Sequence, residues 1–189
     1  LDTFVYREGL IGMKYSYSTA ANLFKSVFSA ALLRIVNPDI KIQRAFEVPQ
    51  DFEGIVFDIG GGKFDHHQEN SEVRENGVPY AAFGLLWREF GESIICTGCS
   101  TSQVAREADR FDKFFIQPLD ESDNTGSGNQ LAGVINTFNP MWDSEESVDE
   151  CFFDAVDLAE TILRRKLEGV MSVQRAAEQV ERALAESKD

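Results

Sequence analysis

The sequence predicts an α/β fold, a parallel sheet flanked by helices, with a helix-rich C-terminal part. Two observations carry this. Up to Asp58 the hydrophobic pattern changes period in the order strand, helix, strand, turn, strand, which is how a parallel sheet with crossover helices begins. From Pro79 onward the pattern is helical in most stretches, punctuated by Asn-Pro and glycine-containing segments.

Taken in order, Leu10–Tyr17 alternates loosely and reads as an opening strand. Ser18 or Thr19 is placed to cap a helix running to about Val36, with Leu23, Val27, Ala31 and Ile35 on one face. Asn37-Pro38 stops that helix. Ile40–Phe46 alternates as a second strand, and Val48-Pro49-Gln50 turns the chain. Ile55-Val56-Phe57 is an apolar run that reads as a strand buried on both faces. Gln68–Gly77 is a polar loop. Pro79 suits the first turn of a helix through Phe90, closed by Gly91. Trp87 and Phe90 fall on its core face. Ser100 with Gln103 fits a capping box opening a helix to about Ile116. Asp120–Gly128 reads as a polar loop, and Gln130–Phe138 as a helix broken by Asn139-Pro140. Ser147 and Glu150 fit a second capping box, ahead of a long helix with Phe152, Val156, Ala159 and Leu163 on one face. The charged helix Ser172–Ser187 carries Val173, Ala177, Val180 and Leu184 as a stripe, assigned to the core. Residues 1–189 read as a single metal-binding domain.

Composition narrows the function classes. Net charge is −14, from 18 Lys+Arg against 32 Asp+Glu, which disfavours broad binding to nucleic-acid backbone. A small phosphate compound, or an oligonucleotide held at one end, stays compatible. No apolar run is long enough to span a membrane. Leu1–Tyr6 lacks a secretory pattern, and the absence of an initiator Met suggests a trimmed start. Three cysteines, Cys96, Cys99 and Cys151, form no disulfide framework, so a reducing cytoplasm is expected. Cys96-Thr97-Gly98-Cys99 has zinc or redox spacing but no second pair.

The chemistry concentrates in Gly54–Gln68. Asp58 stands where the apolar run ends, three glycines let the backbone turn, and Asp65-His66-His67 follows with the only two histidines of the chain. Carboxylate oxygen and imidazole nitrogen in one loop suit manganese, iron, zinc or phosphate-bridged magnesium. The plainer alternative is a surface turn with two solvated histidines. Gly60-Gly61-Gly62-Lys63 is not a P-loop, since the spacing is short and Phe64 replaces the magnesium-binding Ser or Thr.

Asp58-Ile59-Gly60-Gly61 with Phe64-Asp65-His66-His67-Gln68 resembles the melanocyte-proliferating-gene family of metal-dependent hydrolases, grouped with the DHH phosphoesterases. Val27–Leu33, Asn76–Gly84, Leu119–Gly126 and Phe138–Trp142 share the likeness. The resemblance implies a DHH-phosphoesterase-like fold, a divalent metal cofactor, manganese first, and a phosphate-containing substrate such as a small nucleotide or nucleic-acid end. By motif, Asp58 corresponds to a carboxylate bridging two metals and His66 to a ligand of one. Asp65 orients the pair, and His67 faces the phosphate. Asp123 corresponds to the later carboxylate ligand, with Asp120 contesting that place. One segment departs. Where the family carries a His-rich, acid-containing stretch, this chain reads Tyr15–Ser26, with no His and no carboxylate and with Lys25 as a cation. The second lobe of related proteins has no counterpart in the sequence. Two expectations follow: a metal-dependent phosphoesterase, or a relic binding one metal or none and serving as a structural module.

Overall fold

The computed structural model describes residues 10–11, 23–45, 48, 52–68, 71–96 and 103–187. Its elements are β1 (Leu10–Ile11), α1 (Leu23–Val36), β2 (Lys41–Ile42), α2 (Ala82–Cys96), α3 (Val104–Phe111), a π-helical turn (Asp112–Ile116), α4 (Gln117–Thr125), α5 (Gln130–Asn136) and α6 (Val148–Glu186).

The core is built around α1. Val27, Phe28 and Ala30 through Leu33 are all buried, so the helix is apolar around its circumference rather than along one stripe. It can be so because α2, α5 and α6 pack on it from different sides. The Phe28 ring meets Phe83 of α2 at 5.5 Å and Phe115 of the π turn at 6.0 Å. Trp87 is core, as its helical position suggested. Its indole lies 4.7 Å from the Phe111 ring, and Nε1–H donates to the Ala108 carbonyl at 3.1 Å, tying α2 to α3.

This architecture corrects the expected α/β sheet. Among the described residues, strand pairing amounts to two residues of β1 running parallel to two of β2, plus single bridges at Phe57–Phe64 and Val73–Pro79. No parallel sheet flanked by helices exists there. Of the described part of the alternating segment Ile40–Phe46 only Lys41–Ile42 is strand, and the apolar run Ile55–Phe57 makes only the bridge at Phe57; periodicity cannot distinguish a buried strand from a loop lying on a helical core. The caps proposed at Ser18, Thr19 and Ser100 lie outside the described residues.

Other differences have local causes. Pro79 pairs with Val73 instead of opening a helix, and α2 begins three residues later, with Gly91 inside it. The segment read as an acidic loop is helical to Thr125 and ends at Gly126, whose φ of 70° is the left-handed cap that glycine favours. Ser147 does cap α6, accepting from the Glu150 N–H. That helix then runs unbroken for 39 residues, about 58 Å at helical rise. Its distal stripe is not core: Val173, Val180 and Leu184 are 57%, 59% and 56% exposed. No helix of the described residues is long and apolar enough to cross a membrane.

Candidate metal centre

The loop from Phe57 to Gln68 is closed on itself by short-range bonds. Phe57 and Phe64 bridge, and the Asp58 N–H donates to the Phe64 carbonyl at 3.0 Å. Buried Phe57 and Ile59 anchor the backbone on either side of Asp58. Asp58 takes a φ of 63°, a left-handed conformation that aspartate tolerates better than most side chains. Such a conformation costs on the order of 1–3 kcal/mol, and it persists here because its neighbours fix it. Gly60 and Gly61 continue the turn at φ 85° and 68°.

Asp65 braces the turn from inside. Its Oδ2 accepts the Gly61 N–H at 2.8 Å, and Oδ1 accepts the His67 N–H at 3.0 Å and lies 2.8 Å from His67 Nδ1. Burial raises the Asp65 carboxyl, but hydrogen bonds from His67 and Gly61 outweigh it and hold the group below its ordinary range. Asp65, expected as a positioning acid, thus hydrogen-bonds the loop backbone and lies within hydrogen-bond distance of the His67 ring.

His66 is buried between two carboxylates. Its Nδ1 lies 3.5 Å from Asp58 Oδ1, and its Nε2 lies 3.3 Å from Asp123 Oδ2. His67, half exposed, brings Nδ1 to 3.9 Å from Asp58 Oδ1, and the two imidazoles are 4.1 Å apart. Ligand atoms of Asp58, His66 and His67 all fall within 4.8 Å of one another. Carboxylate oxygen with imidazole nitrogen at that spacing is a donor set that fits a divalent ion of hard to borderline character. Asp58 also accepts a hydrogen bond from the buried Ser26 hydroxyl at 2.5 Å, a contact the sequence did not suggest.

Asp120 is placed elsewhere. Its Oδ2 pairs with Arg74 Nη2 at 2.8 Å, and Oδ1 accepts the Gly84 N–H at the start of α2. Arg74 also forms a two-pronged pair with Asp112 of the π turn at 2.8 and 2.6 Å and lies 3.9 Å over the Tyr80 ring. Asp120 and Asp123 are thus one turn apart on α4, yet one faces a guanidinium and the other an imidazole. Arg74 and Asp112 escaped the sequence reading, because a lone Arg in a polar loop and an Asp inside a helix carry no motif.

Burial pushes the Asp120 carboxyl up to about 7, against the opposing pull of Arg74. The folded value lies above the ordinary 3.8, so the folded state holds this proton more tightly than the unfolded chain. The resulting stability is complete below about pH 4 and is lost as pH rises through about 7. Denaturant titrations should therefore show wild type losing stability relative to Asp120→Asn between about pH 4 and 7, with manganese affinity little changed by the substitution. A pH-independent difference between the two proteins would show that Asp120 is ionised throughout.

A family model, MYG1_exonuc, described as Uncharacterised protein family (UPF0160), matches residues 24–189. No curated protein and no solved structure matches the chain. The matched span includes the Asp58 loop, Arg74, α4 and the whole of α6. With the match covering nearly all of its length, and with the loop motifs pointing the same way, this chain belongs to the MYG1 family, UPF0160.

Proposed function

We propose that the chain is a metal-dependent phosphoesterase acting on a small nucleotide or a nucleic-acid end, with manganese as its ion, in a reducing cytoplasm. The observation that carries this reading is the convergence of Asp58, His66 and His67 on one point of a rigid loop, with Asp123 against the far nitrogen of His66. The name of the matched family, MYG1_exonuc, points to an exonuclease-like hydrolase and supports this reading. A divalent ion bound there supplies an activated water and neutralises charge on phosphoryl oxygens. Asp58 and His66 would hold it, and Asp123, 3.3 Å from His66 Nε2, would fix the His66 ring. Asp65 turns His67, which is half open to solvent, so that Nε2 faces the substrate phosphate. The acidic surface favours a short substrate over a long polyanion.

The second reading, a one-metal or metal-free relic, draws on Ser26. Its hydroxyl holds Asp58 Oδ2, the oxygen a second ion would need, and Tyr15–Ser26 offers no His or acid. Native mass spectrometry with manganese tests the site, and hydrolysis of a short phosphodiester by the loaded chain separates the readings, since a one-metal relic binds the ion and cleaves nothing. The proposal expects one ion per chain, with at least about tenfold weaker binding in His66→Ala. Equal binding by both proteins would remove His66 from the site. Leu23→His with Lys25→Asp, changes in the first turn of α1, should raise the stoichiometry toward two. Two ions on the unmodified chain would mean that other residues complete the first site.

A further inference from the structure

We propose that two copies of this chain pair through the distal half of α6, each seating its last turns in a groove of the other. The stripe Val170, Val173, Ala177, Val180 and Leu184 is spaced three, four, three, four, the repeat of a helix–helix seam; Val170 packs half-buried against the core, Ala177 is half-buried, and Val173, Val180 and Leu184 are exposed. Its first part is one wall of an apolar groove of about 350 Å³. The opposite wall is Phe111, Phe114 and Phe115, with Phe114 71% exposed where the π turn thrusts it outward. Gly169 lies in that wall, and a methyl group on its Cα would meet nothing within 4 Å, which leaves room for an approaching helix.

Charge selects the occupant. In a chain of net charge −14, the groove lining carries Lys166, Arg110 and Glu107, with Arg110 3.7 Å from Glu107, and so has a net positive charge. Beyond Gly169 the stripe is flanked on one side by Glu181, with Glu178 a step further round, and on the other by Ala176 and Ala183. On an ideal wheel the two basic residues of that segment, Arg175 and Arg182, fall on the opposite face. The acidic, apolar end of α6 is therefore complementary to the apolar groove of the same protein, whose lining has a net positive charge and carries Lys166. An antiparallel pairing satisfies both halves at once, Val180 over Val170 and Ala177 over Val173, as a two-fold interface requires. Leu184 then enters beside Phe114, and Glu181 reaches Lys166. The seam is small, so the dimer is weak and dilution-sensitive.

Sedimentation velocity over a wide dilution series tests this. Wild type should dimerise with concentration, and Val180→Glu and Phe114→Glu, both at exposed positions, should each weaken association about tenfold or more. Lys166→Glu should weaken it too, and adding Glu181→Lys to that variant should restore it. Monomer at every concentration, association indifferent to Val180→Glu and Phe114→Glu, or failure of the exchanged charges to restore pairing would each overturn the proposal.

Discussion

Gly84→Ala is expected to destabilise the protein by about 3–5 kcal/mol and to lower its melting temperature sharply. A methyl group there would sit 1.9 Å from Asp120 Oδ2 and 2.6 Å from Arg74 Nη2. Neither neighbour can yield cheaply. Asp120 is wholly buried, and Arg74 is held at the same time by Asp112, Asp120 and the Tyr80 ring. Making room means parting a buried ion pair, which costs about 3–5 kcal/mol when one partner is left uncompensated. That is a large share of the roughly 5–15 kcal/mol holding a domain together. Gly133→Ala provides the contrast, since nothing lies within 4 Å of its methyl position inside α5. It should stabilise by up to about 1 kcal/mol through helix propensity. Thermal and denaturant unfolding of the two variants would check both signs. A Gly84→Ala protein as stable as wild type would mean that the Arg74–Asp120 contact is far looser than its distances imply.

Asp58→Asn should abolish manganese binding while leaving the fold intact. Asparagine is the one substitution that keeps the shape and tolerates the left-handed backbone, so the experiment removes charge without disturbing the loop. Asp58 is the acid that lies against both imidazoles, at 3.5 Å from His66 and 3.9 Å from His67, and it is the carboxylate grouped with them as a candidate ligand set among the described residues. A loss of about 100-fold or more in calorimetric affinity is expected, against a smaller loss for Asp123→Asn, which lies against the far nitrogen of His66. An Asp120→Asn loss exceeding that of Asp123→Asn would reverse the order of the two α4 acids. Unaltered binding in Asp58→Asn would move the centre away from this loop.

What the sequence determined by itself is the local chemistry. Asp58, the glycine turn and Asp65-His66-His67 lie within ten residues, and the bonds that shape them, Asp65 to Gly61 and to His67, span two to four positions. Contacts that short are encoded where they are read, so the loop was legible as a candidate site. Its setting was not. The apolar run Ile55–Phe57 looks alike whether strands or helices cover it, and of the described part of the alternating segment Ile40–Phe46 only Lys41–Ile42 pairs; only packing around α1 decided for helices. Asp120 and Asp123 are indistinguishable as neighbouring acids in a polar stretch. Arg74, 46 positions before Asp120, claims one of them, and His66 meets the other. Ser26 reaches Asp58 across 32 positions, and the polar face of α4 becomes an inward face because those distant partners satisfy it. Burial of a charged group depends on who stands opposite, and that is settled only when the chain is folded.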